Sequence, residues 1–418
     1  MRTAWIISIG TELTLGQTVD TNAAWLAQRL SARGIRAVRH LTVADELADI
    51  LGVLDAAASH ADLVLITGGL GPTEDDLTRQ ALADAAGTPL EPHAESLDRI
   101  REYFHARGRS MHEGNFAQAL LPIGAEALPN TCGTAPGIYL RLRETPVFAL
   151  PGVPSEMKAM FDMEVAPRLP TAAGVVLQRQ LRCIGEGEAA IGAKIRDLMA
   201  RGRNPEIGTT ARLGIVGVRI NATADDSATA TRLADEAETE LRARLGPLVF
   251  GRDDETLAGA IGRMLIEESG MLTVAESCTA GLLGKLLTDE PGASRWFAGG
   301  VICYSDTLKS GLLGVPVELI ARHGAVSAEV AAALAEGART RLSTTHALSI
   351  TGVAGPTGGS AEKPVGTIFV GLSTAAATSV ERLQLGADGT RDAIRERSAT
   401  AAMNLLRLEL MRTRATTG

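Results

Sequence analysis

The sequence is poor in aromatic residues, cysteine and histidine. Tyrosine, tryptophan and phenylalanine make up 3% of the 418 residues, so the cores have to be built from alanine, valine, leucine and isoleucine. The four cysteines (Cys132, Cys183, Cys278 and Cys303) form no CxxC pair, which favours a reducing compartment, the cytoplasm. The seven histidines contain no HExxH motif, and a zinc site is therefore not expected.

A membrane span and a basic surface are also missing. No uninterrupted apolar run reaches the length that crosses a bilayer. The stretch MRTAWIISIGTEL predicts a first β-strand and not a signal peptide, because polar residues soon interrupt its apolar run. The net charge of −8 argues against a general nucleic-acid binder, although a local basic patch at 196–203 stays open. We expect no membrane partner and no direct contact with nucleic acid.

The first part of the chain has an alternating pattern of strands and helices. From residue 4 to about 165, short apolar runs alternate with helical patterns, which predicts an α/β domain with a parallel sheet. Ligands bind such sheets at the carboxyl ends of the strands. Three loops fall there: 10–22 (GTELTLGQTVDTN), 67–76 (TGGLGPTEDD) and 149–157 (ALPGVPSEM).

Two further segments follow. Residues 171–251 predict a strand, a helix, a hairpin-like pair and a second helix. This small α+β module resembles a KH arrangement, but its GEGE turn is not the GxxG clamp, and a spacer or dimerisation role is favoured. A second α/β unit then runs to the end of the chain. The predicted domains are 1–170, 171–251 and 252–418.

The stretch TVAESCTAGLLGKLL places Ser277 beside Cys278. A strand is predicted to end at Glu276 and a helix to begin near Cys278. Ser277 is then either the helix N-cap or a nucleophile, with N–H groups of the first helical turn near Thr279 as candidates for an oxyanion hole. Cys278 is the rival nucleophile, but a cysteine at such a position is more often a buried apolar filler, and we favour Ser277.

A nucleophilic serine needs a base. His323 and His346 are the histidines of this unit, and each has a plain strand or loop context. Lys285 is expected to point to solvent. Lys309 follows a strand end and could return to Ser277, but a lysine with an ordinary pKa of about 10.4 must be desolvated to act as a base. From spacing alone, an exposed surface lysine is the better interpretation of Lys309.

Other features of this unit point to an anionic ligand. The loop TGVAGPTGG follows a strand and can bring bare N–H groups close to a phosphate or a carboxamide. Arg391 could pair with a phosphate, or it is an ordinary surface arginine. It lies at the start of the last helix, which is predicted to be opened by Thr390 or Asp388.

The N-terminal loops combine glycines with acidic residues. Gly68, Gly69 and Gly71 permit close approach to phosphates, and Asp75 and Asp76 would suit a divalent ion that bridges to them. The alternative is that these acids only favour a helix macrodipole. Three further acids are expected to converge on the same sheet edge, which favours a metal–phosphate site: Glu12, Asp20 and Glu156.

The segments AESCTAGLL, ICYSDTLKSGLLGV, GAVSAEVAAALAEGA, ITGVAGPTGGSAEKPVGTIFVGL and GTRDAIRERS resemble, in order, the C-terminal domain of the CinA family, the nicotinamide-mononucleotide deamidases. The resemblance implies a catalytic Ser277–Lys309 dyad with Tyr304 as a further catalytic residue, and no cofactor. It implies substrate contacts at Cys278, Thr279, Thr351, Gly352, Gly355 and Arg391. Ala280 stands where family members often have glycine, and is expected on the first turn of the helix.

The three N-terminal loops resemble the molybdopterin-binding MoaB/MogA-like fold in its CinA variety, and with the KH-like middle module nearly the whole chain resembles full-length CinA. The resemblance implies metal-dependent hydrolysis of ADP-ribose to AMP and ribose 5-phosphate, and a homodimer. The expected metal is Mg²⁺ or Co²⁺, held by Asp75, Asp76, Glu12, Asp20 and Glu156. The implied phosphate-binding residues are Asn22, Gly68, Gly69, Gly71, Thr73, Gly152 and Ser155. Alternatives are a molybdopterin-processing protein and a non-catalytic, competence-associated partner protein.

Overall fold

The chain folds into two compact units. The computed structural model describes residues 2–169, 174–386 and 389–417. Met1–Leu177 with Ala222–Arg232 form one unit, and Gln178–Asn221 with Leu233–Gly418 form the other. In the described residues, no helix is long and apolar enough to cross a membrane.

The first unit is an α/β layer structure, as the alternating pattern predicts. Its strands are β1 Arg2–Ile9, β2 Ile35–Val43, β3 Leu63–Thr67, β4 Leu90–Pro92, β5 Leu120–Pro122, β6 Glu126–Leu128, β7 Gly137–Leu142 and β8 Thr145–Leu150. Its α-helices are α1 Thr11–Thr14, α2 Thr21–Ser31, α3 Leu47–His60, α4 Thr78–Ala86, α5 Ala94–His105 and α6 Pro154–Met160. Apolar clusters cover both faces of the main sheet.

The main sheet of this unit has the order β2-β1-β3-β8-β7-β6. β1 pairs in parallel with both β2 and β3, and β3 pairs in parallel with β8. The chain leaves β1 for β2 on one side and later places β3 on the other, so the order reverses at the carboxyl end of β1. Such a switch point is where open α/β sheets bind ligands. All three predicted loops leave this edge of the sheet.

The middle segment contains a four-stranded sheet of order β10-β11-β9-β12. Its elements are β9 Val175–Ile184, α7 Glu188–Lys194, β10 Glu206–Arg212, β11 Ile215–Ala224, α8 Ser227–Leu245 and β12 Val249–Arg252. The predicted hairpin is present, since β10 and β11 are antiparallel with Arg212 opposite Ile215. Ile184 and Phe250 belong to the same apolar cluster as the C-terminal core. The three-domain division stays a prediction.

The C-terminal part has a five-stranded sheet of order β14-β13-β15-β16-β17. Its strands are β13 Leu272–Glu276, β14 Phe297–Ile302, β15 His346–Gly352, β16 Thr367–Ser373 and β17 Thr378–Gln384. Its helices are α9 Leu257–Glu267, α10 Leu282–Thr288, α11 Asp306–Leu313, α12 Val317–His323, α13 Ala328–Arg341 and α14 Arg391–Thr417.

This sheet also has a switch point. β13 pairs in parallel with β14 on one side and with β15 on the other. β16 is antiparallel to β15, and β17 is antiparallel to β16. β13 ends at Glu276, and Ser277 is the first residue beyond the strand. The carboxyl end of β13 is therefore the place where this fold would bind a ligand.

Candidate active sites

The prediction that Ser277 caps a helix is wrong. After β13 the chain makes a turn at residues 277–281, and α10 begins at Leu282 with Gly281 as its N-cap. Ala280 and Gly281 both have left-handed backbones, with φ of 48° and 94°. Ala280 therefore lies before the helix and not on its first turn.

The helix is capped by Glu276, a residue that the sequence interpretation passed over. Its carboxylate accepts backbone hydrogen bonds from Gly281 (3.0 Å), Leu283 (3.0 Å) and Gly284 (2.8 Å). The side chain is 2% exposed. An acid immediately before a helical pattern was the available signal. Because Glu276 uses these N–H groups, the start of α10 offers no donors at these positions to a ligand.

The side chain of Ser277 is consequently not needed as a helix cap. Its N–H donates to the carbonyl of Ile350 at 3.0 Å, which fixes the backbone between β13 and β15. Among the described residues its hydroxyl makes no hydrogen bond, and the residue is 8% exposed. The next two N–H groups, of Cys278 and Thr279, likewise donate to no described acceptor, whereas that of Ala280 donates to the Ser277 carbonyl.

Lys309 is buried, which overturns the expectation of a surface lysine. It lies on α11 and is 2% exposed. Its Nζ donates to the Tyr304 carbonyl at 3.1 Å and to Asp306 Oδ1 at 3.0 Å. An ammonium group has three donors, so one direction at Nζ stays available.

The sheet register brings these two residues to neighbouring strand ends. Glu276 is opposite Ile302 in the parallel pairing of β13 with β14, and Cys303 N–H donates to the Glu276 carbonyl at 2.8 Å. Ser277 follows the first strand, and Tyr304, whose carbonyl binds Lys309, follows the second. The serine and lysine therefore belong to one edge of the sheet.

Cys278 does not have the properties of a nucleophile. It is 6% exposed and contributes to the main apolar cluster of this unit. Burial raises the pKa of its thiol to about 12. Because the thiolate is the reactive form of cysteine, this position is inert near neutral pH, and the choice of Ser277 over Cys278 gains support.

Three of the predicted site residues contact one another. The guanidinium of Arg391 donates to the Gly355 carbonyl at 2.7 Å and to the Tyr304 hydroxyl at 3.3 Å. Tyr304 is 57% exposed, so this edge of the site faces solvent. Thr390 caps the helix through the Ala393 N–H, while Asp388 lies outside the described residues.

Thr351 and Gly352 make contacts that stabilise the fold, and Thr279 is buried. Thr351 is buried and donates its hydroxyl to the Ala325 carbonyl at 2.8 Å. A Cβ at Gly352 would lie 2.3 Å from a methyl of Ile368, so glycine allows β15 and β16 to pack. The Thr279 hydroxyl is buried without a described partner. Their predicted substrate contacts stay predictions.

The structure does not bring His346 or Lys285 to this edge, and it pairs His323 with an acid. His346 is the first residue of β15, at the opposite end of the strand from Gly352. His323 ends α12 and pairs with Glu329 at 3.2 Å. Lys285 forms an ion pair with Asp289, and both side chains are exposed, as expected. A histidine-based mechanism is not supported by this arrangement.

In the first unit, Asn22 joins the three predicted loops. Its amide donates to the Thr67 hydroxyl at 3.0 Å and to the Gly152 carbonyl at 2.8 Å. Gly68 and Gly69 have φ of 105° and 65°, and a Cβ at Gly68 would lie 2.1 Å from the Ile9 carbonyl oxygen. Glycine is thus required where the loops meet, and the exposed Ser155 lies in the third loop.

The acids of the second loop do not open a helix. α4 begins at Thr78, and its first turn contains no acid, so a macrodipole role for Asp75 and Asp76 is wrong. Asp76 instead accepts from the N–H groups of Gly71 (2.7 Å) and Thr73 (2.8 Å), which shapes the loop. Asp75 is exposed, and the neighbouring Thr73 side chain lowers the pKa of its carboxyl group, although the Thr73 hydroxyl donates its single proton to Asp76 Oδ2 at 2.5 Å.

The expected convergence of five acids is not observed. No group of three or more His, Cys, Asp or Glu side chains in the described part of the chain could hold a metal ion. Asp20 caps α2 through the Ala23 N–H at 2.9 Å, and Glu156 accepts from the Asn130 amide at 2.7 Å. Glu12 folds back over Gly10. Local hydrogen bonds hold two of these carboxylates, which the loop pattern alone did not reveal.

A partial metal site remains compatible with these residues. Mg²⁺ commonly keeps several waters and takes one or two carboxylates together with substrate phosphates. Asp75 is ionised and exposed beside the glycine loop, and it fits such a site. The metal itself stays a prediction.

A cavity of about 730 Å³ in the first unit lies beside residues that contact the third loop. Asn130 and Gly133 line it, and both also contact Glu156 of α6. Tyr103 and Arg99 of α5 line another side. A cavity of this size can take a ligand as large as a nucleotide, and neither Asn130 nor Tyr103 was singled out in the sequence.

Three family models match consecutive segments of the chain. Residues 5–171 match a probable molybdopterin binding domain, residues 178–251 the KH domain of the damage-inducible protein CinA, and residues 254–410 the CinA C-terminal domain. The predicted fold classes are thereby confirmed: a MoaB-like first unit, a KH-like middle segment and a C-terminal CinA domain.

Similar proteins extend along the whole chain. A putative competence-damage inducible protein of Symbiobacterium thermophilum is 41% identical over 98% of this chain and 99% of its own length. A CinA-like protein of Synechococcus sp. (strain CC9311) is 44% identical over 97% of each. The solved structures cover a smaller part of this chain. The structure of CinA from Thermoplasma acidophilum is 32% identical and covers 40% of this chain and 98% of its own, with a TM-score of 0.38. The full-length likeness to the curated relatives shows that the chain belongs to the CinA family.

Proposed function

We propose that the C-terminal part hydrolyses the carboxamide of nicotinamide mononucleotide, giving nicotinate mononucleotide and ammonia. The observation that carries the proposal is the pair of Ser277 and Lys309. A serine hydroxyl without a described partner lies at the switch point of the sheet, and a buried lysine amine is held at the neighbouring strand end. The choice of nicotinamide mononucleotide as the substrate rests on the resemblance to the nicotinamide-mononucleotide deamidases.

The reaction is an acyl transfer to the serine. Ser277 Oγ attacks the carboxamide carbon while Lys309 Nζ, in its neutral form, takes the hydroxyl proton. The tetrahedral intermediate collapses, the C–N bond breaks, and the nitrogen leaves as ammonia with the proton from Nζ. Water then attacks the ester, Nζ again takes and returns a proton, and nicotinate mononucleotide is released.

The oxyanion is bound by the turn and not by the start of α10. Glu276 uses the N–H groups of Gly281, Leu283 and Gly284. The N–H groups of Cys278 and Thr279 are uncommitted among the described residues, and they directly follow the nucleophile. Two such donors can stabilise the developing negative charge.

Arg391 and Tyr304 bind the nucleotide part of the substrate. Arg391 is exposed at the start of α14 and already contacts Tyr304 and the glycine-rich loop through Gly355. A guanidinium group there can pair with the phosphate. Tyr304 offers a hydroxyl and a ring face at the mouth of the site.

The proposal is tested by measuring ammonia release from nicotinamide mononucleotide. We expect release by the wild type, and a loss of at least about 100-fold in Lys309→Met, because the general base is removed. Lys285→Met is the matched control, since it removes an exposed lysine of α10 whose partner is Asp289. Equal activity of Lys309→Met and wild type would contradict the proposal, and thermal unfolding of both variants checks the fold.

We propose a second activity in the first unit, the metal-dependent hydrolysis of ADP-ribose to AMP and ribose 5-phosphate. The joined loops favour it: Gly68 and Gly69 leave room for a pyrophosphate, and Asn22 fixes the loops together. Asp75 with Thr73 provides the partial site for Mg²⁺ or Co²⁺, and the ion would activate water there. The nearby cavity would take one end of the substrate.

AMP release from ADP-ribose in the presence of Mg²⁺ tests this second activity. Asp75→Asn should lower the rate by at least about 10-fold, whereas Glu74→Gln, an exposed neighbour, should not. Tight binding of a pterin without hydrolysis of ADP-ribose would favour a molybdopterin-processing role instead. We further propose that the protein acts as a cytoplasmic homodimer, and a competence-associated partner protein is the alternative if neither substrate is turned over.

A further inference from the structure

Arg395 connects the last helix to the turn that carries the proposed nucleophile. It lies one helical turn after Arg391 on α14, and its Nη2 donates to the Thr279 carbonyl at 2.7 Å. The same carbonyl accepts the Leu282 N–H at 3.2 Å. Nη1 is 3.5 Å from Asp392, whose carboxylate is mostly exposed. The shortest contact of the Arg395 guanidinium is therefore the one with the turn, and its pairing with Asp392 is longer and exposed to solvent.

The turn is held from two sides. Glu276 fixes its helical side through three N–H groups, and Arg395 fixes the Thr279 peptide. What these contacts leave uncommitted, among the described residues, is the Ser277 hydroxyl and the N–H groups of Cys278 and Thr279. These are the groups that acyl transfer needs. The hydrogen bond to the Thr279 carbonyl places the Arg395 guanidinium at the turn.

We propose that Arg395 is a positioning residue for deamidation. Through the Thr279 carbonyl it holds the turn so that the two N–H groups converge on the oxyanion, and its charge favours that anion. The inference rests on the proposed deamidase function. Arg391 differs, since it is exposed and points towards Tyr304 and Gly355, where it meets the substrate phosphate. Two arginines of one helix face thus act on different kinetic parameters.

The experiment compares two substrates, nicotinamide mononucleotide and nicotinamide riboside, which lacks the phosphate. Arg395→Gln should lower kcat by about 10- to 100-fold for both substrates while KM changes less than about 3-fold, because an interaction of the transition state is weakened. Arg391→Gln should raise KM for the mononucleotide by a larger factor than KM for the riboside, because only the mononucleotide carries the phosphate. Arg395→Lys should recover part of kcat, since an ammonium group can still donate to the Thr279 carbonyl.

Arg397→Gln is the matched control. Arg397 lies on the same helix and donates to a backbone carbonyl, that of Leu385, at the same 2.7 Å, but away from the turn. A loss of kcat in Arg397→Gln equal to that in Arg395→Gln would show a merely structural role and overturn the inference. So would a rise in KM confined to the mononucleotide in Arg395→Gln, or an unchanged kcat. Absence of ammonia release by the wild type would instead refute the deamidase function, and this inference with it.

Discussion

The thiol of Cys278 and the hydroxyl of Ser277 are adjacent in sequence but have different surroundings. The thiol points into the apolar cluster of α9, α10 and α14, while the hydroxyl has no described partner at the sheet edge. Desolvation penalises the charged thiolate, whereas a serine needs only a base and an oxyanion site. At this scale the environment, and not the intrinsic nucleophilicity, selects the serine.

The difference predicts a specific alkylation pattern. Burial raises the pKa of the Cys278 thiol to about 12, so the thiolate is scarce at pH 8 and iodoacetamide should not modify this residue in the folded protein. The exposed Cys132 is the internal control and should react readily. Peptide mass spectrometry measures both sites. Rapid modification of Cys278 with loss of ammonia release would contradict the assignment of its environment.

The residue types of the dyad were predictable, but their surroundings were not. The burial of Lys309 depends on how α11 packs against α13 and α12, which is a tertiary property that spacing does not contain. Likewise, Ala280 gives no local sign of a left-handed backbone, a conformation that costs a residue with a Cβ about 1–2 kcal/mol. The turn at 277–281 therefore could not be distinguished from a helix start.

At the scale of elements, the structure of the β13–α10 connection depends on one carboxylate. Glu276 ends the strand and caps the helix, so that the intervening turn is fixed at both ends. The sequence predicted the strand and the helix but assigned the cap to Ser277, because serine is the commoner N-cap residue. In the first unit, Asp76 accepts hydrogen bonds from within its own loop, and α4 begins at Thr78 without a side-chain cap.

Glu276→Gln should destabilise the C-terminal part by about 2–3 kcal/mol, because a neutral amide cannot satisfy three buried N–H donors as a carboxylate does. Ammonia release should fall as well, since the turn carries Ser277. Glu318→Gln is the control, as this exposed acid lies on the first turn of α12 and accepts no described hydrogen bond; it should cost about 0.3–1 kcal/mol. Denaturant unfolding compares them, and equal stabilities would contradict the capping role.

At the scale of the whole molecule, both α/β sheets have the same arrangement at their first strand. In each, the chain moves from the central strand to one neighbour and then to the other, and the predicted loops gather at that carboxyl edge. For the first unit, the parallel sheet and the position of its loops followed from the alternation of strands and helices in the sequence, whereas the strand orders did not. The shared core of the KH-like segment and the C-terminal part did not, because it depends on isolated contacts such as those of Ile184 and Phe250.

The central claim is that Ser277 is a nucleophile, and ammonia release from nicotinamide mononucleotide tests it most directly. The wild type, Ser277→Ala and Cys278→Ala are measured side by side, with unfolding curves to show that all three are folded. The account predicts release by the wild type and by Cys278→Ala, and none above background by Ser277→Ala. Full activity of Ser277→Ala, or loss of activity in a folded Cys278→Ala alone, would contradict it.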